Sequence, residues 1–141
     1  MDFKNKTVLI TVASSGIGKQ TAIEFAKLGS NLILVARRKE KLEQVENELK
    51  KYKISTMICS CDVSKKEQVL DMSNTVLQKF PSIDILVNNA GFAIYGSVTD
   101  LSIDEIESQM ETNYFGMIHC VKKFLTLMLE KKSGHIVNIA S

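Results

Sequence analysis

The sequence predicts a doubly wound α/β domain, a parallel β-sheet covered by helices on both faces. Three observations carry this expectation. Short strand-like runs near residues 6–11, 31–36, 54–60, 83–87 and 135–140 alternate with longer stretches of helical periodicity. Most of these runs are apolar at consecutive positions rather than at every second one, as strands buried on both faces require. The first run also passes through small residues, Ala13 to Gly16, straight into a helical pattern. Strands joined by helices in this way need right-handed crossovers, and the expected order is 3-2-1-4-5. No repeat, linker or low-complexity stretch interrupts the alternation, so residues 1–141 read as a single domain.

Taken in order, Lys6–Thr11 is a strand because four of its six residues are β-branched. The first helix runs from Gly16 to Leu28 on a stripe of Ala22, Ile23, Phe25 and Ala26, and Gly29 ends it. Asn31–Ala36 is the second strand. A polar helix over 38–52 carries Leu42, Val45 and Leu49 at helical spacing, and Ile54–Ser60 is the third strand. Ser64 and Glu67 have the spacing of a capping box. The helix they open buries Val69, Leu70, Met72, Val76, Leu77 and Phe80, and Pro81 closes it. Ile83–Val87 is the fourth strand. A second capping box, Ser102 to Glu105, starts a helical pattern that runs to about Lys132 with a break near Asn113 and a seam of Ile118, Val121, Leu125 and Met128. His135–Ala140 is the fifth strand.

Composition excludes several classes. With 45% hydrophobic and 24% charged residues, 141 residues suffice for one ordinary core. A net charge of +2, spread along helices, gives no footprint for nucleic acid. No apolar run approaches a membrane span and no leader pattern is present, so a cytoplasmic protein without a membrane partner is expected. Three cysteines make a poor disulfide framework, and Cys59-Ser60-Cys61 lacks a second ligand pair, so no metal site is expected.

The chemistry concentrates in the first turn. A strand, a turn rich in small residues and a helix start form a cradle for a nucleotide pyrophosphate: the first helical amides point at the anion, and absent side chains let it approach. Thr11, Ser14, Ser15, Gly16, Ile17 and Gly18 are the residues that would build it. In such a fold the end of the second strand meets the adenosine ribose. An acidic residue there would repel a 2′-phosphate, but this chain has Arg37 and Arg38 instead, two guanidiniums able to fork a phosphate. NADP(H) is therefore expected in preference to NAD(H).

Five segments in order resemble the short-chain dehydrogenase/reductase family along the whole chain. They are Thr11–Gly18, Cys61-Asp62-Val63, Asn88-Asn89-Ala90-Gly91, Thr112–Gly116 and Gly134–Ser141. The resemblance implies a Rossmann fold and a reductase acting on a small alcohol or carbonyl compound. It implies that Asp62 bonds the adenine amino group with Val63 beside it, and that Asn88 ties the sheet together. It further implies that Asn89, Ala90 and Gly91 let the coenzyme lie against the backbone. Asn113 and Ser141 are implied as active-site residues, the first by holding a relay water and the second by bonding the substrate oxygen. A homo-oligomer is implied for the full-length protein.

Two departures stand out. Val12 occupies the place of a family glycine; if that position needs φ > 0, a β-branched residue is strained there by about 1–2 kcal/mol, and weakened coenzyme binding is expected. The family's Tyr-x-x-x-Lys pair is missing, since Tyr52, Tyr95 and Tyr114 have no lysine four residues on. His119 and His135 are expected to be structural or surface residues rather than substitutes. The chain is thus expected to be the N-terminal, coenzyme-binding part of a longer reductase, inactive by itself. The alternatives are a nucleotide-binding protein without turnover and a degenerate family member.

Overall fold

The computed structural model describes residues 2–140. Five parallel strands form one sheet in the order β3-β2-β1-β4-β5. These are β1 (Thr7–Thr11), β2 (Asn31–Ala36), β3 (Thr56–Ser60), β4 (Ile85–Asn88) and β5 (His135–Asn138). The helices are α1 (Gly16–Lys27), α2 (Lys39–Leu49), α3 (Lys66–Lys79), α4 (Ile103–Met110) and α5 (Gly116–Glu130). A 3₁₀ turn at Lys50–Tyr52 extends α2, and a π-helical turn at Glu111–Phe115 joins α4 to α5.

The continuous apolar strands divide their side chains between two cores. Val8, Ile10, Leu32, Leu34, Ile85 and Val87 face α1 and α2. Leu9, Ile33, Val35 and Leu86 face α3 and α5. Every residue of β1 is buried, as a central strand covered on both sides demands. At the lower end of the sheet Asp84 gathers three elements. Its Oδ2 accepts the Thr7 N–H at 2.9 Å and its Oδ1 accepts Lys131 Nζ at 2.7 Å, while its backbone carbonyl takes the His135 N–H.

Several local expectations are corrected. The Ser64–Glu67 capping box does not form: Lys65 is the N-cap of α3, and Ser64 turns back to bond the Asp62 carboxylate. The Asx turn competes with the cap and wins because it uses both the Ser64 N–H and its hydroxyl. The Ser102–Glu105 box is present with both reciprocal bonds. On α5 the buried positions are Gly116, Cys120, Phe124 and Met128; Met128 is buried as expected and Val121 is partly buried, but Cys120 and Phe124 take the centre of the seam and Leu125 is exposed. Small Gly116 and Cys120 let this face approach closest. Leu70 likewise faces solvent on α3. The expected break at Asn113 is a π turn that shifts register without ending the helix. β5 is a sheet edge, with Val137 and Ile139 partly exposed.

Candidate coenzyme-binding cleft

The C-terminal ends of β1, β2, β3 and β4 open onto one cleft. Ser14, Ser15, Arg37, Arg38, Asp62, Val63, Ala90 and Gly91, all expected from the sequence, line it. Open α/β sheets bind ligands in this position, beside the strand whose neighbours run in opposite sequence directions. Here that strand is β1, flanked by β2 and β4.

The turn after β1 is shaped by two backbone requirements. Val12 adopts φ +51°, a left-handed conformation that is strained for a β-branched residue. Gly16 at φ +53° meets the same demand without a side chain. Gly18 is fixed by space: a Cβ there would collide with the Val12 carbonyl and would stand 2.7 Å from Asn89 Nδ2. The helix start is therefore drawn down onto the turn. Ser15 is the N-cap of α1 but gives no side-chain bond to the first turn, and no acidic residue occupies that turn. Its first-turn amides and the positive end of the helix thus have no side-chain cap or carboxylate of their own.

Thr11 does not line the cleft itself. Its buried Oγ1 accepts the N–H groups of Asn89 (2.9 Å) and Ala90 (3.0 Å), so the end of β1 sets the course of the chain leaving β4. Asn113, on the π turn, grips the same loop from the other side. Its Oδ1 accepts the Phe92 N–H at 2.9 Å and its Nδ2 donates to the Phe92 carbonyl at 2.8 Å. Asn88 Nδ2 donates to Asn138 Oδ1 at 2.9 Å, which joins β4 to β5 side chain to side chain. Among the described residues, Asn88 Oδ1 is a buried acceptor that meets no protein donor. Ile17 points away from the cleft into an apolar hollow with Phe3, Phe25 and Leu28. Ser141 lies outside the described residues.

At the adenosine end, Arg37 and Arg38 are exposed and, among the described residues, neither is ion-paired. The Ser60 hydroxyl donates to the Arg37 carbonyl at 2.9 Å and fixes that end of β2. Asp62 sits in the wall, with Oδ1 taken by the Ser64 N–H and hydroxyl and its own N–H given to Gln68 Oε1. Sequence reasoning missed Thr112 as a lining residue, along with Val35, Ala36, Cys61 and Phe92. Thr112 stands in one of the five quoted segments, beside Asn113, and that adjacency was the available signal. Burial disfavours the thiolate at all three cysteines, pushing Cys59 up to about 11 and Cys61 and Cys120 up to about 12. Among the described residues no three metal-ligating side chains converge, and no helix is long and apolar enough to cross a membrane.

A nicotinamide dinucleotide fits this donor set. Its pyrophosphate needs amide donors and room, which the α1 start and the missing Cβ at Gly16 offer. Known proteins resemble this chain in sequence and fold. The chain is 40% identical over 139 residues to an NADP-dependent 3-hydroxy acid dehydrogenase of Schizosaccharomyces pombe, covering 96% of this chain and 54% of that protein. An alcohol dehydrogenase of the archaeon Thermococcus sibiricus, solved with 5-hydroxy-NADP, superposes with a TM-score of 0.90 at 33% identity, over 94% of this chain and 57% of that one. An NAD⁺-bound xylitol dehydrogenase superposes with a TM-score of 0.94 at 31% identity, over 100% of this chain and 55% of that one. The chain thus spans a little over half the length of the relatives it matches. The family model for short chain dehydrogenase matches residues 6–141, nearly the entire sequence, and with the strand order and the glycine turn it makes this chain a member of the short chain dehydrogenase family.

Proposed function

We propose that this chain is the coenzyme-binding part of an NADP(H)-dependent oxidoreductase that interconverts an alcohol and a carbonyl compound of small size. The observation that carries the reading is the convergence, on one cleft, of an uncapped helix start, two unpaired arginines and a loop of small residues. When bound, the coenzyme supplies or accepts hydride at its nicotinamide ring. The protein's part is to hold it: Gly16, Ile17 and Gly18 amides receive the pyrophosphate, and Arg37 and Arg38 receive the 2′-phosphate. Asp62 and Val63 form the adenine wall. Asn89, Ala90 and Gly91 form the floor toward the nicotinamide, and Asn113 holds that floor in place through Phe92.

NADP(H) is favoured over NAD(H) because two guanidiniums, Arg37 and Arg38, line the cleft at the end of β2, where an acidic residue would oppose a 2′-phosphate. The dehydrogenase of Schizosaccharomyces pombe and the Thermococcus enzyme point the same way, whereas the xylitol dehydrogenase carries NAD⁺. Asn113 and Ser141 are the active-site residues this sequence would contribute. Without a Tyr-x-x-x-Lys pair, nothing here is placed to protonate a carbonyl oxygen as hydride arrives, so these 141 residues by themselves bind without turnover. The exposed apolar residues Met110, Tyr114, Phe115 and Leu129 suit burial against a second copy in the full-length protein.

The strained backbone at Val12 favours a second reading, a family member that keeps nucleotide binding without turnover. Calorimetric titration with NADPH and NADH, followed by an assay of NADPH oxidation against short ketones and aldehydes with the full-length protein, separates the two. Tighter NADPH binding with oxidation supports the reductase. Binding without oxidation supports the second reading, and the absence of binding refutes both.

A further inference from the structure

The helix pair α4–α5 reaches the cleft at two places, and only one of them involves Asn113. One turn further along, Gly116 presses on Val63: a Cβ at Gly116 would stand 2.7 Å from Val63 Cγ2 and 3.3 Å from Val63 Cβ. From the next turn the half-buried His119 places Nδ1 2.9 Å from the Val63 carbonyl oxygen, 56 residues away in sequence. A carbonyl only accepts, so Nδ1 carries the proton and His119 donates. The preceding residue, Asp62, donates its N–H to Gln68 Oε1 at 2.8 Å. The Asp62–Val63 corner is therefore clamped by two side chains from two different helices, α3 and α5.

The π turn makes this possible. Inserting an extra residue into the helix rotates everything after it. Asn113 then faces the Gly91–Phe92 wall while Gly116 and His119 face the Asp62–Val63 wall, so a single helical segment touches both walls of the cleft.

We propose that His119 is a positioning residue for the adenosine half of the coenzyme, acting through the Val63 carbonyl. This rests on the coenzyme reading given above. Without the imidazole donor the Val63 carbonyl loses its partner, and the Asp62–Val63 wall shifts against the adenine while the pyrophosphate cradle and the nicotinamide end keep their own supports.

The test is direct binding of NADPH and of 2′,5′-ADP, an adenosine-half ligand, to the purified protein and to His119→Phe, His119→Ala and His119→Asn, with melting temperatures measured in parallel. Loss of one hydrogen bond that orders a wall should weaken both ligands by the same factor, about 5-fold, in His119→Phe and His119→Ala. His119→Asn carries an amide donor close to the place of Nδ1 and should restore binding to within about 2-fold of the parent. The alanine variant serves if the phenylalanine variant does not fold, and the asparagine variant if neither does: it must then bind like the parent. Unchanged affinity in the Phe or Ala variant, loss confined to NADPH, or failure of asparagine to rescue overturns the proposal and leaves the coenzyme reading standing. If the parent protein binds neither ligand, the coenzyme reading falls and takes this inference with it.

Discussion

Asn113 holds Phe92 by both halves of its peptide backbone, accepting the N–H at 2.9 Å and donating to the carbonyl at 2.8 Å. The carboxamide thus replaces the strand partner that the chain loses on leaving β4. Asn113→Ala leaves both groups to water and frees the Gly91–Phe92 wall. We expect NADPH affinity to fall about 5- to 10-fold, with a loss of about 1 kcal/mol in stability because the pair is exposed. Asn113→Asp keeps the acceptor and loses the donor, and should fall between. Titration calorimetry and thermal melts check both; a parent-like alanine variant contradicts the assignment.

Val12 is the residue at which the turn is strained. At φ +51° a β-branched side chain costs about 1–2 kcal/mol, while glycine would return about 1 kcal/mol in backbone entropy. Val12→Gly should therefore leave the melting temperature nearly unchanged. It should tighten NADPH binding by a few-fold at least, because the isopropyl group lines the cleft beside Ser14 and Arg37. Equal or weaker binding would show that the valine does not obstruct the coenzyme.

Arg37 and Arg38 should discriminate between coenzymes. Charge-assisted bonds to a phosphate contribute about 1.5–3 kcal/mol. Replacing both arginines by alanine should lower NADPH affinity about 10- to 100-fold and leave NADH affinity within a few-fold. Titrations at two salt concentrations check it, since added salt should weaken NADPH binding to the parent far more than to the variant. Parallel losses for both coenzymes would place the 2′-phosphate elsewhere.

Asp84 gives the fold an acid limit. Burial alone would raise its pKa, but Lys131, the Thr7 N–H and Lys6 together outweigh burial and hold the carboxyl below its ordinary range. The stabilisation is complete above the unfolded-state value, near pH 4, and is lost as pH falls through the lower folded-state value. Asp84→Asn should cost about 1–2 kcal/mol at pH 7 and flatten the dependence of stability on pH below about 4. Urea melts between pH 3 and 7 measure both. A variant whose curve parallels the parent's would exclude this network as the source.

The sheet was legible because buried parallel strands announce themselves as consecutive apolar residues, and β1, β2 and β4 each do so. The glycine turn was legible because Gly16 and Gly18 answer to backbone geometry and contact distance, which few other residues satisfy. What sequence could not supply was rotation and competition. The face of α5 depends on a π turn, and nothing in the spacing of Ile118, Val121 and Leu125 says that Cys120 and Phe124 face inward instead. Ser64 could cap a helix or close an Asx turn with equal local sense; Asp62 decided the matter. Thr11 is expected from the sequence to build the cradle, whereas in the structure its hydroxyl clamps Asn89 and Ala90, a contact between positions nearly eighty residues apart. The His119–Val63 contact is equally remote, and periodicity carries no trace of it.

The central claim is that the cleft above β1 receives NADP(H), with the pyrophosphate on the α1 amides and the 2′-phosphate between Arg37 and Arg38. A crystal structure of the protein grown with excess NADPH tests it most directly. The account predicts phosphate oxygens within hydrogen-bonding distance, about 3 Å, of the Gly16–Gly18 amides and of both guanidiniums. A cleft that remains empty under saturating NADPH, or a coenzyme bound with its 2′-phosphate away from both arginines, would contradict it.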